Sequence, residues 1–164
     1  MNERYLFRGK RKDNGEWVTG YLIQGNNTYI VTPEAIYYMV VSISYMASVE
    51  FVEVIPETVG QCTGLKDKNG NWIFEGDIFK FDDEVWSSCY TSCGTEYDSY
   101  DVVNYGAIGF NKDSASYDFI KYKYNENSIE ADLHENCNIE FADFVTELEV
   151  IGNKWDNPEL LEVE

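Results

Sequence analysis

The chain has 164 residues, 44% hydrophobic and 16% aromatic, and its formal net charge at pH 7 is −18. That length fits one domain, or one domain with a small appended lobe, and the aromatic content excludes a disordered acidic tail, which lacks the apolar surface to fold. Charge is split by position: residues 1–81 carry 10 acidic and 8 basic side chains, residues 82–164 carry 20 and 4, and no arginine follows Arg11. The first ten residues are charged and contain no apolar run, so no secretory signal is expected. The uncharged stretch 35–49 falls short of the roughly 20 apolar residues of a spanning helix, so no membrane partner is expected and the expected location is cytoplasmic.

Most of the chain reads as strands. Residues 17–23 follow Asn14-Gly15, which supplies the positive φ of a tight turn, and residues 5–8 are the expected partner strand. Asn69-Gly70, followed by Trp72 and Ile73, repeats the device and predicts a second hairpin. Residues 29–31 and 49–55 are rich in β-branched and aromatic side chains and are expected to be extended. Thr32-Pro33 has the cap and first-turn proline of a helix start, yet the apolar run 36–41 favours a strand; both assignments stay open. Glycines at 60, 64, 70 and 76 lead into a short strand at 77–81, and small turns between short strands suggest a barrel-like sheet.

Residues 82–100 shift to Asp, Glu, Ser, Cys and Tyr without clear periodicity, and read as a long surface loop. Residues 102–110 and 117–124 predict two strands joined at 111–114. A short helix is expected over 128–134, capped by Ser128, and alternation resumes over 144–151. Leu160-Leu161 is expected to pack back onto the body.

The four cysteines, in a chain without an export signal, are read as free thiols in a reducing compartment. Cys89, Cys93, His134 and Cys137 are the one set that could surround zinc tetrahedrally. Neither pair has CxxC spacing, so no cofactor is assigned.

Several motifs match a known family. Arg4-Tyr5-Leu6-Phe7-Arg8-Gly9-Lys10, Asn14-Gly15-Glu16-Trp17, Thr63-Gly64-Leu65-Lys66-Asp67-Lys68-Asn69-Gly70, Glu75-Gly76-Asp77-Ile78 and Glu149-Val150-Ile151-Gly152-Asn153 resemble the YopX-like proteins of bacteriophages and prophages. The resemblance implies a mainly β (β-rich α+β) fold with a C-terminal barrel-like sheet and a phage protein in the bacterial host cell; it brings no catalytic residues. The expected organisation is a single unit, 1–164, divisible into a small lobe 1–55 and a barrel-like part 56–164. Cys62 stands where the family often has an aromatic residue, and residues 82–101 lie outside the shared motifs. The Gly64 to Gly70 motif reads as a turn; its alternative, a phosphate loop using Lys66 or Lys68, lacks Walker spacing.

No catalytic signature accompanies the carboxylates, and the protein is expected not to be an enzyme. A body of net charge −18 is repelled by nucleic acid, whose affinity rests on Lys and Arg at phosphates. The alternative of nucleic-acid contact or phage assembly uses the only basic cluster, Arg4, Arg8, Lys10, Arg11 and Lys12. The favoured reading is a phage accessory protein that binds a basic host protein, in its sharpest form as an acidic mimic of nucleic acid inhibiting a host nucleic-acid enzyme or defence system. B-DNA carries one charge per roughly 110 Å² of surface, against about 450 Å² per net charge if this chain spreads its charge evenly, so mimicry requires clustering. The expected partner-binding acids are Asp82, Asp83, Glu84, Glu96, Asp98 and Asp101, with Glu130, Asp132 and Glu135.

Overall fold

The computed structural model describes residues 3–33, 35, 50–91, 93–123 and 145–162. Its described strands form two open antiparallel sheets. In chain order they are β1 (Phe7–Lys10), β2 (Trp17–Gln24), β3 (Thr28–Val31), β4 (Val52–Glu53), β5 (Gly60–Lys66), β6 (Trp72–Phe74), β7 (Asp77–Thr91), β8 (Gly94–Asn111), β9 (Ser116–Lys123) and β10 (Val150–Asn153). One sheet runs β4-β3-β2-β1-β5-β6 and the other β10-β7-β8-β9. Neither closes on itself, so the mainly β expectation holds and the barrel-like detail is not confirmed. The chain divides into two compact units, Met1–Leu65 with Trp72–Glu75, and Lys66–Asn71 with Gly76–Glu164.

In the first unit the Asn14-Gly15 turn delivers β2 onto β1 with Phe7 opposite Gly20 and Lys10 opposite Trp17. Gly15 adopts φ +75°, the left-handed conformation that the sequence anticipates there. Ile30, Val52 and Val54 form the buried cluster, against which Val18, Leu22 and Val59 pack. The alternation of β2 therefore turns Val18, Gly20 and Leu22 toward the core. Gly20 is required by contact: a Cβ there would lie 2.2 Å from the Val31 carbonyl oxygen. Within the described part, 50–55, of the stretch expected to be extended, the strand is only Val52–Glu53; Val54 forms an isolated bridge to Arg11 and Pro56 opens a 3-10 turn. Thr32 Oγ1 accepts a hydrogen bond from the Ala35 N–H at 3.4 Å, in keeping with the capping role of Thr32. The apolar run 36–41 of that ambiguous segment lies outside the described residues, as does the helix expected over 128–134.

In the second unit Ile78, Ala107 and Leu161 are buried together with Tyr105 and Leu160 beside them, so the terminal leucines do return to the sheet. The opposite face of the same strands carries Phe79 and Phe81, whose rings meet Phe119 at centroid separations of 6.1 and 5.4 Å. The expected strand pair around 111–114 is β8 with β9, where Asn111 Oδ1 accepts the Asp113 and Ser114 N–H groups. Alternation over 144–151 materialises only from Val150 onward; Val145 is instead buried in a helical turn.

The largest difference from the sequence reading concerns residues 82–100. They are not a loop: β7 and β8 pair residue for residue from Ile78↔Ala107 to Thr91↔Gly94. Val85, Trp86, Tyr90, Thr91, Tyr97, Tyr100 and Val102 are strong strand formers. Their signal was masked because polar residues alternate with no consistent apolar face.

The Lys66–Asn71 turn is organised by Asp67, which is 4% exposed. Its Oδ1 accepts the backbone N–H groups of Asn69 and Asn71 at 2.9 and 2.8 Å, and its Oδ2 accepts the Asn71 side-chain amide at 3.2 Å. Burial pushes the Asp67 pKa up, but the hydrogen bonds from Asn71, Asn69 and Val150 outweigh burial and hold the carboxyl below its ordinary value. A depressed native pKa stabilises the fold at every pH above the unfolded value near ~4, and that contribution disappears as pH falls through the native value.

Two predictions follow from this packing. Gly20→Ala should cost about 1–3 kcal/mol in urea unfolding with an unchanged denaturant slope, the ordinary cost of overpacking; an unaltered midpoint would mean that the β2–β3 approach is looser than 2.2 Å implies. Asp67→Asn should cost about 1 kcal/mol at pH 7, and the difference from wild type should shrink as pH is lowered from 5 to 3; a constant difference would show that the anion is not the stabilising species.

Candidate protein-interaction site

β10 pairs with β7 only at Asp77, Ile78 and Phe79, and β9 pairs with β8 only from Tyr105 to Asn111. Beyond those points β7 and β8 continue together for ten residue pairs, from Asp82↔Val103 to Thr91↔Gly94, without pairing to any other described strand. The result is a two-stranded ribbon roughly 33 Å long at about 3.3 Å per residue. Gly94, at φ +134°, lies in its tip.

Residues 82–103 contain six carboxylates and no lysine or arginine. Six of the nine acidic positions singled out by sequence thus share one element: Asp82, Asp83 and Glu84 on β7, and Glu96, Asp98 and Asp101 on β8. Strand alternation divides these positions between both faces. Positions 82, 84 and 101 follow the parity of Ile78 and Ala107, whereas 83, 96 and 98 follow that of Phe79 and Gly106. The side chains of Asp82 and Asp101 are exposed, and Val103 beside them is 38% exposed. Glu130, Asp132 and Glu135 lie outside the described residues.

The register places Glu84 directly opposite Asp101. Like charges at directly opposed positions destabilise a strand pair by a few tenths to about 1 kcal/mol. Residues 82–103 themselves contribute no lysine or arginine to offset these two carboxylates.

Only part of the zinc set falls within the described residues. Cys89 is opposite Glu96 in the register and Cys93, exposed and in no disulfide, lies in the turn, while His134 and Cys137 lie outside the described residues. Among the described residues no group of three or more His, Cys, Asp or Glu side chains could hold a metal ion.

The basic N-terminal cluster is heavily matched by acids and rings. Arg11 binds Asp13 at 2.8 Å and approaches Glu50 at 3.7 Å; Lys12 binds Glu53 at 2.7 Å. These hydrogen-bonded pairs raise the pKa values of both cations and lower that of Asp13. Arg8 lies 4.9 Å from the Trp17 ring centroid and 5.0 Å from that of Phe74, with Lys10 at 5.5 Å from Trp17. Register explains the choice of ring: Lys10 is opposite Trp17, and Arg8, opposite Thr19, is its diagonal neighbour. Glu50 and Glu53 are some 40 positions away in sequence, so no local pattern could reveal the pairing. The Gly64 to Gly70 motif is likewise a self-satisfied turn. Lys68 binds Glu149 at 2.9 Å, and the Gly70 N–H donates to the Asp67 carbonyl at 2.9 Å, so the phosphate-loop reading loses two of its donors.

These observations define a mainly β protein of two open antiparallel sheets with an anionic ribbon. The chain matches the family described as YopX protein over residues 6–162, and it belongs to that family. No curated protein matches it. Among the described residues no helix is long and apolar enough to cross a membrane.

Glu84→Gln should raise stability by about 0.2–1 kcal/mol, measured as a shift of the thermal midpoint at low salt that shrinks in concentrated salt. A destabilised variant would indicate that the opposed carboxylates are already neutralised.

Proposed function

We propose that this protein acts by binding, without a catalytic step, and that the β7–β8 ribbon is its docking element for a basic protein. The observation that carries this reading is the ten-pair extension with six carboxylates and no cation. An extended ribbon presents backbone edges and alternating side chains together, and unbalanced charge accelerates encounter with a cationic surface. The paired state of Arg11 and Lys12 favours this reading over nucleic-acid contact through the N-terminal hairpin.

In its sharper form the partner is a nucleic-acid enzyme or defence protein of a bacterial host, whose basic groove the phage-derived chain occupies in place of nucleic acid. Magnitudes separate the two forms. Six carboxylates over roughly 33 Å give one charge per about 5 Å, against one per ~1.7 Å of duplex axis. The ribbon alone is therefore about three times too sparse to reproduce a duplex, and mimicry requires further acids such as Glu130, Asp132 and Glu135. Binding a basic protein requires none.

The test replaces residues 84–101 with Asn-Gly, which joins Asp83 to Val102 through a two-residue turn and leaves the sheet from Lys80 to Tyr105 in place. The folded variant should lose salt-sensitive capture of basic proteins from a bacterial lysate that the wild type retains. Release of the captured protein by duplex DNA marks the mimic form. Equal capture by both chains would reject the ribbon as the docking element.

A further inference from the structure

We infer that Asn69 is a site of spontaneous deamidation to isoaspartate, and that Asn14, in the same dipeptide context, is protected from it. The chain contains two Asn-Gly dipeptides, Asn14-Gly15 and Asn69-Gly70. In this reaction the backbone nitrogen of the following residue attacks the asparagine Cγ. An N–Cγ bond forms, the Cγ–Nδ2 bond breaks, and ammonia leaves with the proton of the backbone amide. Water then opens the cyclic imide at either carbonyl, giving aspartate or isoaspartate. Glycine permits the attack best because no Cβ obstructs the backbone.

The nucleophiles are held alike in the two turns. Gly15 and Gly70 have φ +75° and +84°, and their N–H groups donate to the carbonyls of Arg11 and Asp67 at 3.0 and 2.9 Å. The electrophiles differ. Asn14 Nδ2 donates to Glu16 Oε2 at 2.8 Å while its Oδ1 accepts the Glu16 N–H at 3.0 Å, so both ends of the amide are engaged. The Asn69 side chain is exposed and makes no hydrogen bond among the described residues; only its backbone N–H is tied, to Asp67 Oδ1. Each hydrogen bond that must open shifts a local equilibrium by roughly a factor of five. Two such bonds favour Asn69 over Asn14 by on the order of 20-fold.

The position also gives the modification a consequence. Isoaspartate at 69 inserts a methylene into the main chain between the Asn69 and Asn71 amides, the two backbone donors to Asp67 Oδ1. It adds a second carboxylate beside a buried one. The modified turn should therefore hold Asp67 less well.

The experiment incubates the full chain at mildly alkaline pH and follows both sites by peptide mass mapping with enzymatic isoaspartate methylation. Asn69 should convert at least about tenfold faster than Asn14, the lower side of the two-bond ratio, and the melting temperature of the incubated sample should fall. Asn69→Gln should abolish both changes. Glu16→Ala, which removes one of the two restraints, should speed Asn14 roughly fivefold and leave Asn69 unchanged. Equal rates at the two sites, faster conversion of Asn14, or an unmodified Asn69 would each overturn the inference.

Discussion

Backbone hydrogen bonding between β7 and β8 does two jobs along one ladder. At one end it places Ile78 opposite Ala107, where Leu161 covers them and the apolar burial is complete. At the other it holds the paired positions 82–103, where carboxylates replace apolar side chains. An isolated two-stranded hairpin is marginal in water, so the outer pairs depend on the anchored end for their register. The anchored end comes from apolar packing: rings of Phe79, Phe81 and Phe119 on one face, and Ile78, Ala107 and Leu161 on the other. Each face of the inner ladder carries buried apolar side chains, and neither face of the outer ladder is a continuous run of apolar residues. That gradient lets one pair of strands serve as core and as ribbon.

Charge is handled differently in the two units. In the first, cations sit beside carboxylates or over rings, as with Arg11 on Asp13 and Arg8 between Trp17 and Phe74. Exposed pairs of this kind contribute little to stability, but they cancel the local field. In the second, acidic side chains far outnumber basic ones from residue 82 onward, and Lys68 on Glu149 is an ion pair brought in by the Lys66–Asn71 turn. The surplus carboxylates give the anionic character that the binding proposal uses.

Hairpins were legible in the sequence wherever turn chemistry is local. Asn14-Gly15, Asn69-Gly70 and the Asn111 side chain each specify their turn within four residues, and the structure builds a hairpin at each. The ribbon was not legible. Trp86, Tyr90, Tyr97 and Tyr100 carry strand propensity, yet Asp, Glu, Ser and Cys interrupt any period-two apolar face, which is the signal that marks a half-buried strand. A ribbon whose two faces both mix polar and apolar positions has no such face to display. The barrel-like expectation is not confirmed, and for a related reason it could not be read locally: whether short strands close or stay open depends on pairing across the whole sheet, which no local segment encodes.

Of the candidate site, the sequence alone established which residues carry charge, the acidic imbalance after residue 82, the turns, the mainly β class and the family motifs, because each is a property of neighbours along the chain. Tertiary structure decided that Glu84 faces Asp101, that Arg11 meets Glu50, and that Asp67 is buried under four hydrogen bonds. These contacts join residues through strand register and burial, and register is set by the packed sheet as a whole.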